Sequence, residues 1–256
     1  MAGPRQTKSD PQALSEYSAS LFPDPRSETI KDDKPGHLGH RARLRTRFLE
    51  AGPDAVADYE LLELLLFSAL PRKDTKPLAK KLIDTFGSFA NVITADKTKL
   101  LAVEGMGEAA VSGLKAVEAG TIRTLREGVI DKPVISSWTA LIEYCTAQMA
   151  FGEIEQFGIL FLDKKNRLIA DEAQQKGTVD HTPVYPREVA KRALELNSSA
   201  LIMVHNHPSG DPTPSRPDID MTQKVKTALE AVGLILHDHI VIGRGQHVSF
   251  RRDGLI

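Results

Sequence analysis

The stretch ALIMVHNHPSGDPTPSRPDID, residues 200–220, joins a short apolar run to a proline-rich segment and a helix start. The run ALIMV is typical of a buried strand, and it leads directly into His205 and His207. Strand side chains alternate between faces, so residues two apart project to the same side, about 6.5–7 Å apart along the backbone. That spacing allows one nitrogen of each imidazole to bind a single ion at about 2.1 Å.

The end of this stretch predicts a helix that begins near Ser215. Residues 208–214 contain three prolines and a glycine, which favour a stiff non-helical loop. Ser215 is a good N-cap and Pro217 suits the first helical turn, so Asp218 lies where its carboxylate can turn back as a third ligand. Two histidines and one carboxylate leave a fourth position for water, as in catalytic zinc sites, where the pKa of that water falls to about 7.

A general acid/base is also needed, and the candidates precede the apolar run QFGILFL, residues 156–162. Glu155 is the first candidate, at the head of this predicted strand. Glu153 is the reserve, because residues two apart share a strand face. Each residue also has a simpler interpretation: Ser215 as a helix cap only, Asp218 as a carboxylate that complements the helix dipole, and Glu155 as a solvated charge.

A second histidine pair lies in the apolar run LILHDHIVI, residues 234–242. His237 and His239 share one face of this predicted strand, and Asp238 points the other way. No further ligand follows in the sequence. We therefore interpret this pair as packed or surface imidazoles rather than as metal ligands.

The segments around these residues alternate helices with strands, which predicts a sheet with helices packed on it. Strands are predicted at 156–162, 167–174, 200–205 and 234–242, and helices at about 139–150, 186–196 and 216–232. The predicted fold class is therefore α+β or α/β, with a small all-helical module at 37–130 and an α/β module at 131–256. Residues 1–36, rich in Pro, Ser, Asp and Lys, are expected to form a disordered tail.

The composition of the 256-residue chain is that of a globular protein, with 41% hydrophobic and 26% charged residues. No run reaches the roughly 18 apolar residues of a spanning helix, and the N-terminus lacks the apolar core of a signal peptide. We therefore expect a soluble cytoplasmic protein without a membrane partner.

A formal charge of -1 gives no global argument for nucleic acid binding. The single cysteine, Cys145, excludes an internal disulfide and is interpreted as a buried thiol.

The segment LLAVEGMGEAAV, residues 100–111, resembles a helix-hairpin-helix turn. Backbone N–H groups at such a turn can hold a phosphate without reading sequence. Against this interpretation, Val111 replaces the usual small alanine, and Glu104 and Glu108 would repel a phosphate; a tight turn alone also explains the pattern. The residues predicted to contact DNA are Gly105, Gly107, Lys97, Lys99 and Lys115.

The C-terminal half matches the JAMM, or MPN-plus, metalloprotease motif without a gap. The motif is present as His205, one residue, His207, Pro208, six residues, Ser215, two residues and Asp218. The surrounding sequence resembles the RadC family in particular, in the segments GTVDHTPVYPREVAKRALELN and LIMVHNHPSGDPTPS. The resemblance covers about residues 40–256. It implies a cytidine-deaminase-like JAMM domain with one zinc ion bound by His205, His207 and Asp218. It also implies that Glu155 is the acid/base and that Ser215 steadies the oxyanion.

The reaction that this resemblance implies is zinc-dependent hydrolysis of a peptide or isopeptide bond. RadC proteins are also labelled DNA-repair factors, so the first alternative is a DNA-binding or repair-associated module whose metal site is structural. A metal-dependent phosphodiesterase is a second alternative. It is less favoured because two histidines and one aspartate hold only one ion, whereas many nucleases use paired metals. The sequence does not name the substrate or the oligomeric state.

Overall fold

The structure is a computed structural model that describes residues 36–176 and 184–256. Residues 1–35, which include nearly all of the predicted tail, lie outside the described residues. The chain divides into two units between Gly52 and Pro53. The described part of the first unit forms helix α1, Gly36–Ala51, and Gly52 follows it in the left-handed region with φ 83°.

The second unit begins with a short 3-10 helix, Pro53–Ala55, and a group of helices that share one apolar core. The helices are α2 (Asp58–Ala69), α3 (Lys76–Phe86), α4 (Phe89–Thr94), α5 (Lys97–Ala102) and α6 (Glu108–Glu127). Their buried side chains include Leu62, Leu66, Leu82, Leu100 and Leu114. Among the described helices, none combines the length and apolar character that a membrane span requires.

The sequence predicts that Gly87 ends α3 and that Ser88 opens α4, and the structure confirms both helix ends. Gly87 ends α3 in the left-handed region, as expected of a C-terminal glycine. The side chain of Ser88 caps α4 by accepting the N–H of Asn91 at 3.1 Å. For α2 the sequence predicts an N-cap at Asp54 or Asp58, because aspartate is a favoured capping residue, but neither residue caps the helix. Its N-cap is Ala57, whose N–H donates to the Glu60 carboxylate at 3.0 Å.

The remainder of the second unit is a five-stranded sheet with helices on both faces, which confirms the predicted combination of a helical region and an α/β domain. In chain order the elements are α7 (Trp138–Met149), β1 (Gln156–Leu162), β2 (Leu168–Lys176), α8 (Pro186–Glu195), β3 (Ala200–Asn206), α9 (Arg216–Glu230), β4 (Ile235–Ile242) and β5 (His247–Ser249). The strand order is β2-β1-β3-β4-β5. Only the β3–β4 pair is parallel among these described strands.

The alternation of side chains along the strands divides the domain core between the two faces of the sheet. One face packs with α7 and includes Leu160, Ile202 and Val204. The other face packs with α8 and α9 and includes Leu201 and Met203. His205 follows Met203 by two residues, so it continues the face that α9 covers.

The last turn of α6 is joined to the sheet by a partly buried polar contact. Arg126 donates two hydrogen bonds to Asp171 on β2, at 3.0 and 2.7 Å, and Tyr144 on α7 donates to the same carboxylate. Helix α6 and the sheet that follows it in the chain are thus in contact. The domain boundary at residues 130/131 stays a prediction.

Candidate metal centre

Three candidate ligands meet where β3 ends and α9 begins. His205 is in β3, His207 directly follows the strand, and Asp218 is in the first turn of α9. The Nε2 atoms of the two histidines are 3.1 Å apart. Asp218 Oδ1 is 3.6 Å from His205 Nε2, and Asp218 Oδ2 is 3.6 Å from His207 Nε2. The fold thus brings together the three side chains that the sequence analysis selected.

These distances fit one shared divalent ion. Ligand atoms bound tetrahedrally at about 2.1 Å lie roughly 3.4 Å from one another. The observed separations of 3.1 and 3.6 Å lie on either side of that value. Within the described ranges, no fourth His, Cys, Asp or Glu joins this group. The donor set therefore resembles that of a catalytic zinc site, which keeps a position for water or substrate.

His205 is fully buried, and burial lowers its pKa to about 4. Its Nδ1 lies 2.8 Å from Nε2 of His239 on β4. The other ring nitrogen of His239 lies 2.7 Å from the hydroxyl of Thr222, and that hydroxyl donates to the backbone carbonyl of Asp218 at 2.6 Å. Burial holds the pKa of His239 well below its usual range. His239 thus contacts a candidate ligand, a role that the sequence analysis did not assign.

His207 is oriented by the loop between β3 and α9. Its Nδ1–H donates to the carbonyl of Asp211 at 2.8 Å, which leaves Nε2 directed toward His205 and Asp218. The hydrogen bond with Asp218 raises the pKa of His207 against the opposing effect of burial, and the charge of Glu155 adds to the rise. Both imidazoles therefore present Nε2 to the candidate ion, while their Nδ1 atoms are held by the protein.

Asp218 is held by the helix cap that the sequence predicts. Its Oδ2 accepts the backbone N–H of Ser215 at 2.7 Å and the Ser215 hydroxyl at 2.5 Å, while its own N–H donates to Ser215 Oγ at 3.3 Å. Although burial opposes ionisation, hydrogen bonds from His207 and Ser215 hold the pKa of Asp218 well below its usual range. The carboxylate is therefore an anionic ligand with a fixed orientation. The oxyanion role of Ser215 stays a prediction.

The two candidate acid/base residues lie outside the strand, which corrects the argument used to pair them. Strand β1 begins at Gln156, so Glu153 and Glu155 lie in the irregular segment before it, and the two-residue strand period does not relate them. Glu153 is exposed and accepts a hydrogen bond from Lys99 Nζ at 2.6 Å. Glu155 is half-buried, and its charge acts on the pKa of His207. This favours Glu155 over Glu153.

Of the predicted DNA-contact residues, Gly105 and Gly107 lie in the turn between α5 and α6, and the three lysines lie in these two helices. Gly105 has φ 96°, in the left-handed region, and Gly107 is the N-cap of α6. Two of the three predicted lysines are already engaged. Lys99 pairs with Glu153, and Lys115 donates to Glu118 at 2.9 Å and to the carbonyl of Ile93 at 3.1 Å. The phosphate contact at Gly105, Gly107, Lys97, Lys99 and Lys115 stays a prediction.

Comparison with known proteins assigns both parts of the chain to described families. Residues 135–255 match the family model of the RadC-like JAB domain, and residues 37–112 match that of the UPF0758 N-terminal region. A UPF0758 protein of Rhodobacter capsulatus is 61% identical over 213 residues, 83% of this chain and 100% of the relative. A UPF0758 protein of Ruegeria pomeroyi is 59% identical over 217 residues, 85% of this chain and 97% of the relative. The chain therefore belongs to the RadC family, to which these UPF0758 proteins are assigned.

Proposed function

We propose that this protein is a zinc-dependent hydrolase of the metallopeptidase type that cleaves a peptide or isopeptide bond. The observation that carries the proposal is the convergence of His205, His207 and Asp218, with both imidazoles presenting Nε2 to one point. Membership of a family with a RadC-like JAB domain supports it, because hydrolysis is common among JAB domains.

Each residue of the site has a defined task in this reaction. Zinc bound by the three ligands would supply a water of lowered pKa and would polarise the scissile carbonyl. Glu155 accepts the proton of the attacking water and delivers it to the leaving amine nitrogen. The Ser215 hydroxyl, which donates to Asp218 here, turns toward the carbonyl oxygen and stabilises its developing negative charge.

The exposure of the ligands favours catalysis over a purely structural metal. The side chains of His207 and Asp218 are 18% and 14% exposed, whereas that of His205 is 1% exposed, so the group opens to solvent on one side. A structural zinc site has four protein ligands, and this group, among the described residues, has three. The same single-ion set disfavours a nuclease that needs paired metals.

Two matched variants test the proposal. We expect the purified chain to bind one zinc ion and Glu155→Gln to retain that ion while hydrolysis of a peptide and isopeptide library falls by 10²–10⁴, roughly the contribution of an acid/base group. Glu153→Gln is the control, because Glu153 lies two residues away and pairs with Lys99. It should retain both metal and hydrolysis. Elemental analysis and mass spectrometry of the cleaved library measure the two properties.

The same experiment separates the alternatives. His207→Ala should abolish stoichiometric zinc; a full zinc content in this variant would mean that the ion lies elsewhere. Stoichiometric zinc in the wild type with no hydrolysis across the library would favour the repair-associated module with a structural metal. Cleavage of labelled DNA by the zinc-loaded protein would instead favour the phosphodiesterase.

A further inference from the structure

A line of four polar groups runs behind the candidate metal ligands, on the side away from the ion. It begins at the backbone carbonyl of Asp218 and continues through Thr222 Oγ1 at 2.6 Å, His239 Nδ1 at 2.7 Å and, from His239 Nε2, His205 Nδ1 at 2.8 Å. Thr222, His239 and His205 are fully buried. This line joins a ligand on the helix to a ligand on the strand through residues that no step of the proposed reaction uses.

The positions of the protons along this line follow from counting donors. A carbonyl oxygen only accepts, so the single hydroxyl proton of Thr222 lies toward Asp218. The Thr222 oxygen must then accept from His239 Nδ1–H. The imidazole of His239 is fully buried, and its two ring nitrogens face Thr222 Oγ1 and His205 Nδ1, so it stays neutral with one ring proton. Its Nε2 is therefore an acceptor, and His205 Nδ1 must donate to it.

We propose that Thr222 and His239 form a tautomer relay that keeps the proton of His205 on Nδ1 and leaves the lone pair of Nε2 for the metal. The relay rests on the proposed metal binding at His205, His207 and Asp218. Both residues act through a ligand, so they are positioning residues. Such partners of metal-binding histidines fix the tautomer and ring orientation, and losing them costs about 10–100-fold in metal affinity.

The packing around His239 gives the relay its rigidity. The ring of His239 lies between those of Phe157 and Phe250, with centroids 5.8 and 4.5 Å away. Strand β4 pairs in parallel with β3, and His239 is opposite Met203 in that register. Thr222 lies one turn after Asp218 on α9 and on the same face. The relay therefore positions both ends of the ligand group from one buried side.

Substitution of Thr222 tests the relay with a matched control. Thr222→Val keeps the shape and removes the acceptor of His239 Nδ1–H, so the His239 proton can shift to Nε2 and drive the His205 proton onto its ligand nitrogen. We expect zinc affinity, measured by competition with a chromophoric chelator, to fall about 10–100-fold. Thr222→Ser should restore it. Thr227→Val is the control, because Thr227 is exposed on the same helix and donates to the Gln223 carbonyl at 3.0 Å.

Nitrogen-15 NMR of the imidazoles tests the relay without any substitution. In the metal-free wild-type protein, the shifts and couplings of His205 should report a proton on Nδ1, and those of His239 should also report Nδ1–H. In Thr222→Val the His205 population should move toward Nε2–H. This readout does not need hydrolysis or zinc, so it decides the relay even if the proposed function fails.

The outcomes are distinct. An Nε2–H form of His205 in the wild type would overturn the relay, as would a Thr222→Val affinity within twofold of the wild type. An equal loss of affinity in Thr227→Val would also overturn it, because that variant leaves the buried line intact. Zinc binding with no hydrolysis would overturn only the proposed reaction.

Discussion

The side chain of Asn206 accepts a hydrogen bond of 2.7 Å from the backbone N–H of Gln156, the residue next to Glu155. The amide nitrogen of Asn206 also donates to the carbonyls of Ile154, at 3.3 Å, and Gly152, at 3.4 Å. Asn206 is fully buried and lies in sequence between the two candidate histidine ligands, His205 and His207. One side chain thus connects the metal group to the segment that carries the candidate acid/base.

The first prediction follows from this connection. We expect Asn206→Ala to reduce hydrolysis at least tenfold with zinc content unchanged, because the segment that carries Glu155 loses its attachment while all three ligands remain. Stability should fall by about 1–3 kcal/mol, since three hydrogen bonds to partly buried backbone groups are lost. Asn91→Ala is the control, because Asn91 donates to the Phe86 carbonyl at 2.8 Å in the helical region. Equal rates for wild type and Asn206→Ala would contradict the prediction.

The second prediction concerns the loop that orients His207. A Cβ atom on Gly243 would lie 2.3 Å from the carbonyl oxygen of Gly210 and 2.8 Å from Pro212 Cδ, so Gly243→Ala must displace the loop. That loop supplies the Asp211 carbonyl that holds His207 Nδ1–H. We expect zinc affinity to fall tenfold or more while the circular dichroism spectrum stays native.

A second glycine-to-alanine variant, away from the loop, separates displacement of the loop from a general effect of adding a methyl group. Gly113 lies inside α6, and a Cβ atom there meets nothing within 4 Å. Gly113→Ala should leave zinc affinity unchanged and raise the free energy of unfolding by about 0.5–1 kcal/mol, the usual gain in a helix interior. If Gly243→Ala binds zinc as well as Gly113→Ala does, the loop does not control His207.

Local patterns in the sequence were sufficient for most elements of the domain. The continuous apolar run at 156–162 predicted both ends of β1 correctly. The run is continuous because the side chains of this strand are buried on both faces of the sheet. The three candidate ligands were found from spacing, since a strand end followed by a capped helix places them by local geometry. Strand β5 was missed because three residues carry no measurable period.

Contacts between distant segments could not be predicted in this way. The role of His239 depends on the parallel β3–β4 register, which brings it 2.8 Å from His205, 34 residues away. The sequence shows only a His-Asp-His pattern on an apolar strand, which is also typical of packed imidazoles. Similarly, the choice between Glu153 and Glu155 depends on Lys99, 54 residues before Glu153.

The third prediction concerns the lysines near the hairpin. Lys99 pairs with Glu153 at 2.6 Å, whereas Lys97 has no carboxylate partner among the described residues. We expect any affinity of the full chain for duplex DNA to depend most on Lys97: Lys97→Ala should reduce the slope of log K against log salt by about one. Lys99→Ala should change it less. Fluorescence anisotropy over a salt series measures the slope for each variant. An equal reduction of the slope in Lys97→Ala and Lys99→Ala would mean that DNA displaces Glu153 from Lys99.

The fourth prediction concerns the pH dependence of stability, and it depends on Cys145. Cys145 is 1% exposed, and burial raises the pKa of its thiol to about 12. In the unfolded chain the thiol titrates near pH 8.5, so from about pH 8.5 to 10 the unfolded state loses a proton that the native state keeps. Folded-state stability should therefore fall as pH rises through this window, by up to about 1.4 kcal/mol per pH unit from this residue.

Urea denaturation of the wild type and of Cys145→Ala at several pH values measures this contribution. Cys145→Ala loses some stability at every pH because its side chain is smaller. Its free energy of unfolding should nevertheless fall less steeply with pH, because the contribution of the thiol is absent. Above about pH 10 the unfolded tyrosines and lysines also titrate, so the comparison is confined to the lower window. The native chain should also resist Ellman's reagent at pH 8 and release one equivalent in denaturant, since Cys145 is its single cysteine. Identical pH slopes, or rapid reaction of the native thiol, would show that Cys145 is accessible to solvent.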